Sequence, residues 1–394
     1  MNTLLRSSIL LGAAAALSSC STLPGWMVVQ GRSAMTDHRH FHNVTVAASP
    51  APRTLELEPA AAPKLPAGAN GEAFEATLER NGTVAFIVLQ RGRVVWERYF
   101  NGHQRDSLGT SFSVAKSVVS LLLGQAIADG RIAGVDDPIT RYVPELLERD
   151  PRFARVRLRD LLQMRSGIAF EEEYRKPWSD AAVFYLTEDL RAAVRTMRIE
   201  ADPDTRLKYS SGDTQLLGIA IERATGQPLA RYLEQRLWQP MGAEFPASWS
   251  QDSAGGAVTK SFCCLNARAI DFARLGQLML DGGRIGERQV IPQAWIADSL
   301  AVREHAGGDA AARANLQRLS PTRAAFYTWQ WRRMSTPAPG ELGAQPLRDF
   351  YAQGLHGQVI YVAPEQQMVI VRLGRDYGSD YWWPGLMARM ARMN

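Results

Sequence analysis

A serine and a lysine three positions apart, Ser113 and Lys116, have the residue types and spacing with the clearest chemical use in this sequence. Positions three apart lie on one face of a helix, so the two side chains can come within hydrogen-bond reach. A serine hydroxyl is a good nucleophile only when a neighbouring base takes its proton, and a lysine can do so only if burial or nearby positive charge lowers its pKa. The mostly apolar residues 118–123 predict that burial. A helix that begins at Ser113 would also aim free backbone N–H groups at a developing oxyanion.

Lysine is rare in this chain, which strengthens that interpretation. The 45 basic residues include only five lysines: Lys64, Lys116, Lys176, Lys208 and Lys260. An arginine keeps its proton in a protein, so a site that needs a base needs a lysine. The competing interpretation is that a Ser-x-x-Lys pair arises by chance on a solvated helix face.

A second candidate is the stretch from Tyr209 to Ser211, which precedes an apolar helical pattern at residues 216–223. A tyrosine phenol in such a loop can pass a proton between a lysine, a serine and a leaving group. A plain turn with a helix cap at Ser211 or Asp213 explains the same residues. Both interpretations can hold, because a capped turn is a rigid platform for Tyr209.

The third candidate is Gly354-Leu355-His356-Gly357, which precedes an apolar strand pattern. Glycines at a strand entry mark a close approach of the backbone to another group, and a backbone N–H there could complete an oxyanion hole with that of Ser113. His356 could act as the base of a serine–histidine pair. However, the sequence has no Gly-x-Ser-x-Gly motif, and a histidine between glycines is more often a structural hydrogen-bonding group.

The elements that must position these residues indicate a mixed fold. Two β-rich runs at residues 84–89 and 94–100 predict a hairpin before the serine helix, and strand patterns return after a helical middle. The predicted strands of the last third are residues 325–332, 350–353, 358–362 and 368–373. The sequence therefore predicts an α+β fold: an antiparallel sheet built from both chain ends, flanked by helices, with an inserted, mostly helical lobe. We assign residues 71–135 and 255–394 to the sheet subdomain and residues 136–254 to the helical subdomain, with the site in the cleft between them.

Residues 1–20 have the pattern of an export signal, with Arg6 in a short positive region and an apolar stretch that ends in Leu-Ser-Ser-Cys at Cys20. The apolar stretch is too short to span a bilayer. Its end resembles a bacterial lipobox, which implies a lipid anchor on Cys20, and Ser21 implies an outer-membrane lipoprotein that faces the periplasm. A plain secretory peptide or an uncleaved anchor are the alternatives. The Ala- and Pro-rich composition that follows predicts a tether over residues 21–70.

The charge, histidine and cysteine content indicates which partners, metals and disulfide bonds to expect. The net charge is +5 with a pI near 9.2, but the arginines are spread along the chain, so we predict no nucleic-acid partner. Histidines at positions 38, 40 and 42 would share one face of a strand, yet few carboxylates accompany them, so we predict no metal and no cofactor. Cys263 and Cys264 are adjacent, closer than the usual disulfide span, so we expect two buried free thiols.

The three candidate motifs, in this order along the chain, resemble those of the class C β-lactamase-like serine hydrolases. Four further stretches agree, at residues 130–139, 158–168, 269–276 and 354–362, and the resemblance runs from about residue 80 to 394. The run Glu-Glu-Glu-Tyr that ends at Tyr174, ahead of Asp180, is most similar to the 6-aminohexanoate-oligomer hydrolase branch, with family VIII carboxylesterases as relatives.

This resemblance implies that Ser113 is acylated, that Lys116 and Tyr209 share the proton transfers, and that the N–H groups of Ser113 and Leu355 form the oxyanion hole. It also implies substrate contacts from a further set of residues: Tyr174, Asp180, Ser211, His356 and Gly357. The implied partner is a small ester or amide.

Two departures from the β-lactamase pattern count against efficient β-lactam turnover. Ser211 stands where that pattern has Asn, and no lysine follows Lys260, so no lysine of the third strand can hold a substrate carboxylate. The enzyme alternative is a β-lactamase or D-amino-acid peptidase that acts on cell-wall peptides. A third possibility is a non-catalytic lipoprotein that binds cell-wall fragments, but such a protein has no need of a rare lysine beside Ser113.

Overall fold

The computed structural model describes residues 33–58, 63–67, 72–254, 258–303, 325–336, 345–378 and 383–394. The predicted signal segment with Cys20 lies outside these residues. In chain order the strands are β1 (His42–Val46), β2 (Thr83–Gln90), β3 (Arg93–Tyr99), β4 (Gly109–Thr110), β5 (Ala247–Gln251), β6 (Leu265–Ala267), β7 (Arg284–Ile285), β8 (Arg288–Gln289), β9 (Ala325–Tyr327), β10 (Arg332–Thr336), β11 (Gln345–Gly354), β12 (Gln358–Ala363) and β13 (Met368–Gly374). The α-helices are α1 (Phe74–Arg80), α2 (Val114–Ala128), α3 (Leu146–Arg149), α4 (Leu158–Leu162), α5 (Asp180–Leu186), α6 (Leu190–Arg195), α7 (Ser211–Thr225), α8 (Leu229–Leu233), α9 (Ala269–Leu280), α10 (Gln293–Leu300) and α11 (Trp383–Met393).

The larger sheet joins the two ends of the chain. Its seven antiparallel strands run in the order β3-β2-β13-β12-β11-β10-β9, with Ile87 of β2 opposite Val371 of β13. Every residue of β12 and β13 is buried, because helices cover both faces of the sheet. The predicted hairpin and the predicted sheet built from both chain ends are confirmed.

A second, four-stranded sheet has the order β1-β5-β6-β4 and corrects the predicted tether. Strand β1 pairs along its whole length with β5, and beyond it the Ser49 N–H donates to the Ala243 carbonyl oxygen at 3.0 Å. Leu57 forms a bridge with Val94 of the hairpin. The prediction of a tether over residues 21–70 is therefore wrong for residues 42–58, because their backbone completes the hydrogen bonds of an otherwise open edge strand.

The serine helix α2 lies in the middle of the molecule. Helices α2 and α9 pack on one face of the large sheet, and α1 and α11 pack on the other. Every residue of α2 from Val114 to Ala126 is buried, and α7 also packs against this helix. A helix that is apolar on all sides belongs in a core, so α2 holds its first turn rigidly at the end of the sheet.

The predicted strand over residues 325–332 is interrupted. Residues Thr328 to Gln330 form a turn between β9 and β10, with Gln330 at a φ of +64°. The Gln330 side chain donates to the carbonyl oxygens of Leu161 and Leu162, which ties this turn to the helical region. The division into subdomains at residues 135 and 254 stays a prediction.

The N-terminal histidines do not share a strand face. Residues Asp37–Arg39 form a short 3-10 helix, and β1 begins only at His42, so the assumption of alternating strand positions is wrong. No group of three potential metal-ligating side chains occurs within the described residues. Nor does the described part of the chain contain a helix long and apolar enough to cross a membrane.

Candidate active site

Ser113 immediately precedes α2, and the backbone around it is suited to holding a reacting carbonyl oxygen. Phe112 has a φ of +45°, an uncommon conformation for a non-glycine residue, which turns the chain sharply into the helix. The N–H groups of the next three residues are bonded within this turn. The Ser113 N–H makes no hydrogen bond to any described residue, so it is free to donate.

Lys116 is 1% exposed, and its Nζ atom has three neighbouring oxygen atoms. It lies 3.1 Å from Oγ of Ser113, 3.0 Å from Oγ of Ser211 and 2.9 Å from the carbonyl oxygen of Phe262. The ring centroid of Tyr209 lies 5.1 Å from the same nitrogen. The structure thus brings together the four residues that the first two motifs single out.

The turn that carries Tyr209 is capped by Ser210, and the predicted cap at Ser211 or Asp213 is wrong. The Ser210 hydroxyl accepts from the Asp213 N–H at 3.2 Å. Ser211 is then left free to face Lys116. Asp213 is fully buried, where its carboxyl group accepts from the Ser166 hydroxyl at 2.8 Å, and burial raises its pKa well above the usual range.

Gly354 ends β11 directly against the serine. A Cβ atom at this position would lie 2.3 Å from the Ser111 carbonyl oxygen and 3.1 Å from the Ser113 backbone nitrogen. Only glycine allows this approach. Leu355, the next residue, begins a 3-10 turn, and the first N–H groups of such a turn have no partner within it. The close contact places the Leu355 backbone beside that of Ser113.

His356 and Gly357 lie behind the nucleophile. The His356 ring packs edge-on against Phe112, with centroids 5.3 Å apart, and its Nε2 atom is 2.8 Å from the Ser33 carbonyl oxygen. Gly357 faces the guanidinium of Arg372, which is fully buried. This guanidinium donates hydrogen bonds to the carbonyl oxygens of His356 and Gly357. Sequence reasoning missed Arg372, although a single charge in the apolar run of β13 was a signal.

The loop before α5 carries the other predicted substrate contacts. Tyr174 is 52% exposed and donates its hydroxyl to Glu172 Oε1 at 2.5 Å. Asp180 is exposed, and its Oδ2 atom accepts from the Glu171 N–H at 2.7 Å, so it holds its own loop. Glu172 reaches inward to Ser211, whose N–H and hydroxyl both donate to its carboxylate at 2.6 Å. No local pattern in the sequence separates Glu172 from its acidic neighbours.

Arg332 is a second residue that sequence reasoning missed. Its guanidinium carbon lies 5.5 Å from the ring centroids of both Tyr209 and Tyr327. Within the described ranges the guanidinium makes no hydrogen bond or ion pair. Lys116 and Arg332 therefore stand within 5.1 and 5.5 Å of the centroid of the same Tyr209 ring. A permanent cation is present in the cleft, although the stretch from Gly354 to Gln358 supplies none.

Cys263 and Cys264 form a disulfide bond, which corrects the prediction of two free thiols. Their Cα atoms are 3.8 Å apart, and Cys264 takes a φ of +67°. The expectation relied on the usual span between bridged residues and left out this local turn of the backbone. Trp249 Nε1 donates to the Cys263 carbonyl oxygen at 2.8 Å and holds the turn next to Phe262, whose carbonyl oxygen faces Lys116.

Known proteins are similar to this chain in sequence and in fold. The Beta-lactamase family profile matches residues 72–380. The 6-aminohexanoate-dimer hydrolase of Paenarthrobacter ureafaciens is 30% identical over 329 residues, which cover 78% of this chain and 77% of that protein. The chain belongs to the β-lactamase family.

Two further proteins are similar to this chain. Esterase EstB of Burkholderia gladioli is 30% identical over 181 residues, 41% of this chain and 45% of that enzyme. A Bacillus anthracis protein, provisionally assigned as a 6-aminohexanoate-dimer hydrolase, has the same fold with a TM-score of 0.71 at 21% identity, covering 91% of each chain. As a β-lactamase-family member, this chain is a serine hydrolase, and the predicted α+β fold is confirmed.

Proposed function

We propose that the protein hydrolyses small amides or esters through an acyl-enzyme on Ser113. The observation that carries this proposal is the buried Lys116 amine, 3.1 Å from the Ser113 hydroxyl and adjacent to the Tyr209 ring. A non-catalytic binding protein has no need of such a pair, since burying a lysine is costly and its place beside a serine hydroxyl adds nothing to binding.

In the first half of the reaction, Ser113 Oγ attacks the substrate carbonyl carbon while its proton passes to Lys116 Nζ. The free N–H groups of Ser113 and Leu355 donate to the oxyanion of the tetrahedral intermediate. The intermediate collapses, the bond to the leaving group breaks, and the proton moves from Lys116 through the Tyr209 hydroxyl to the departing amine or alcohol.

In the second half, a water molecule attacks the acyl-serine, and its proton passes through Tyr209 to Lys116. Collapse of the second intermediate releases the acid and returns a proton to Ser113. His356 does not act as a base in this scheme, because its ring is engaged with Phe112 and Ser33; we assign it, with Gly357, to supporting the backbone behind the nucleophile.

Two relatives guide the choice of substrate. One carries the name 6-aminohexanoate-dimer hydrolase and the other is an esterase, so we propose linear amides of amino acids and short-chain esters. We also propose that Tyr174 contacts the bound chain, because it is half exposed and bonded to Glu172, which reaches Ser211; Asp180 fixes the loop that presents it.

Arg332 favours substrates that carry a carboxylate. The Arg332 guanidinium is partly buried and flanked by two tyrosine rings, so an anionic group of the substrate is a strong partner for it. This keeps D-amino-acid peptides and β-lactams, which also carry a carboxylate, as the second candidate substrates.

Covalent labelling tests the nucleophile. The protein should react with a fluorophosphonate probe and gain one adduct on the peptide that contains Ser113, and Ser113→Ala should abolish both labelling and ester hydrolysis. Ser120→Ala is the matched control, because this hydroxyl is buried in the same helix and has no hydrogen-bond partner within the described residues. Equal labelling of the Ser113→Ala variant and the parent would disprove the assignment.

We also propose that the protein is an outer-membrane lipoprotein anchored through Cys20. The lipobox-like end of the export segment supports this. Metabolic labelling with a palmitate analogue should mark the parent, and label that persists in Cys20→Ser would contradict the proposal.

A further inference from the structure

The carboxylate of Glu172 fixes the direction of the Ser211 hydroxyl. Oε1 accepts from that hydroxyl at 2.6 Å, and Oε2 accepts from the Ser211 N–H at 2.6 Å. The Tyr174 hydroxyl donates to Oε1 as well. An ionised carboxylate can only accept hydrogen bonds, so the single proton of the Ser211 hydroxyl must point to Glu172.

This direction determines what Ser211 can offer Lys116. With its proton committed to Glu172, Ser211 Oγ can only accept a hydrogen bond from the Lys116 Nζ atom, 3.0 Å away. The Phe262 carbonyl oxygen, 2.9 Å from the same nitrogen, is also only an acceptor. Lys116 must therefore donate one N–H to each of these two oxygens.

A neutral lysine amine has two N–H bonds and one lone pair. When both N–H bonds are directed to Ser211 and Phe262, the lone pair is left for the third neighbour, the Ser113 hydroxyl at 3.1 Å. This is the orientation that a base needs in order to take the proton of Ser113. After the transfer, the third N–H points back to Ser113 Oγ and the other two contacts are unchanged.

We propose that Glu172 is a positioning residue that acts through Ser211 to turn the lone pair of Lys116 toward Ser113. The inference rests on the proposed function, in which Lys116 is the base. It gives Ser211 a role in orienting the base in place of the substrate contact that the resemblance implies.

A glutamine at position 172 would remove this constraint while keeping the size of the side chain. Its amide NH2 group can donate to Ser211 Oγ, and the Ser211 hydroxyl is then free to point its proton at Lys116 Nζ. A hydrogen bond of that kind occupies the lone pair and leaves no acceptor for the Ser113 proton. The acylation step should slow, whereas substrate binding should not change.

Glu173→Gln is a matched control, because Glu173 lies next in the chain and, within the described residues, its carboxylate accepts only from the Arg175 backbone N–H. Acylation is measured as the single-turnover rate with p-nitrophenyl butyrate, a neutral ester, and as the rate of fluorophosphonate labelling. Thermal melting establishes that each variant is folded.

We expect Glu172→Gln to slow acylation by about tenfold or more with KM within about twofold of the parent, and Glu173→Gln to match the parent. The decisive test is a double-mutant cycle. In a Ser211→Ala background, Glu172→Gln should lower the acylation rate by less than about twofold, because the residue through which Glu172 acts has been removed.

Two results would overturn the proposal. If Glu172→Gln slowed acylation equally with Ser211 present and with Ser211→Ala, Glu172 would not act through Ser211. A raised KM confined to substrates with an amino group would make Glu172 a substrate contact. A parent protein that neither hydrolyses the ester nor is labelled on Ser113 would instead disprove the proposed function itself.

Discussion

Gly354 and Ser111 are in such close contact that a methyl group on the glycine would lie 2.3 Å from the serine carbonyl oxygen. This contact joins the last residue of β11 to the turn that presents Ser113. The end of the sheet and the start of the serine helix are thereby fixed to one another, and the oxyanion hole that we propose depends on that junction.

Gly354→Ala should therefore damage catalysis more than stability. The added methyl group must push the end of β11 away from Ser113, and a displacement of about 1 Å in a catalytic group can cost about a hundredfold in rate. We expect kcat/KM for p-nitrophenyl butyrate to fall by that order. Gly134→Ala is the control, because a Cβ atom there meets nothing within 4 Å. A Gly354→Ala enzyme of parental rate would show that the junction is not needed.

Lys116→Arg should be nearly as inactive as Lys116→Ala. The arginine retains the positive charge but cannot take the proton of Ser113. Rates of acylation with a neutral ester measure this directly. If Lys116→Arg kept most of the parental rate, the site would need a charge at this position and not a base.

Arg332→Gln should change substrate preference. The parent should cleave a 6-aminohexanoate dimer with a free carboxylate about ten- to a hundredfold better, in kcat/KM, than the same dimer capped as a carboxamide, which is the effect of one charged hydrogen bond. Arg332→Gln should bring that ratio close to one and leave kcat/KM for the capped substrate unchanged. Equal losses on both substrates would show that Arg332 supports the Tyr209 ring instead.

The disulfide predicts a specific pattern of thiol reactivity. When the protein is denatured without a reductant in the presence of N-ethylmaleimide, the peptide that contains Cys263 and Cys264 should gain no adduct, and after reduction it should gain two. Two adducts before reduction would restore the expectation of free thiols.

Lys260 should make stability depend on pH. Its amine is fully buried, donates to the Thr187 carbonyl oxygen at 3.0 Å, and has its pKa lowered by burial to about 7. The unfolded chain, with a lysine pKa near 10.5, holds more protons between these values, so the free energy of unfolding rises with pH by at most about 1.4 kcal/mol per unit.

Lys260→Met removes this contribution. The parent should therefore gain about 2 kcal/mol relative to the variant between pH 7 and 9, measured by urea unfolding. Lys64→Met, at an exposed lysine, is the control for the loss of one residue of this type. A parent-to-variant difference that stays constant with pH would contradict the lowered pKa of Lys260.

Local patterns in the sequence were enough to predict the main strands and helices and the nucleophilic serine. Alternation and apolar runs located β2, β3, β12, β13 and the long helices, because each of these buries a continuous stretch of side chains. The three-residue spacing of Ser113 and Lys116 is likewise a property of one helix, so it could be predicted without knowledge of the neighbouring elements.

Tertiary structure decided what surrounds that pair. Glu172 and Arg332 reach the site from a loop and from β10, both far from Ser113 in the chain, and no local pattern distinguishes them from other charged residues. Strand β1 was hidden for the same reason: its hydrogen bonds go to β5, about 200 residues away, and the segment that follows it has the Ala- and Pro-rich composition of a tether. Contacts between distant segments depend on how the helices and strands pack together, and the spacing of neighbouring residues does not determine that packing.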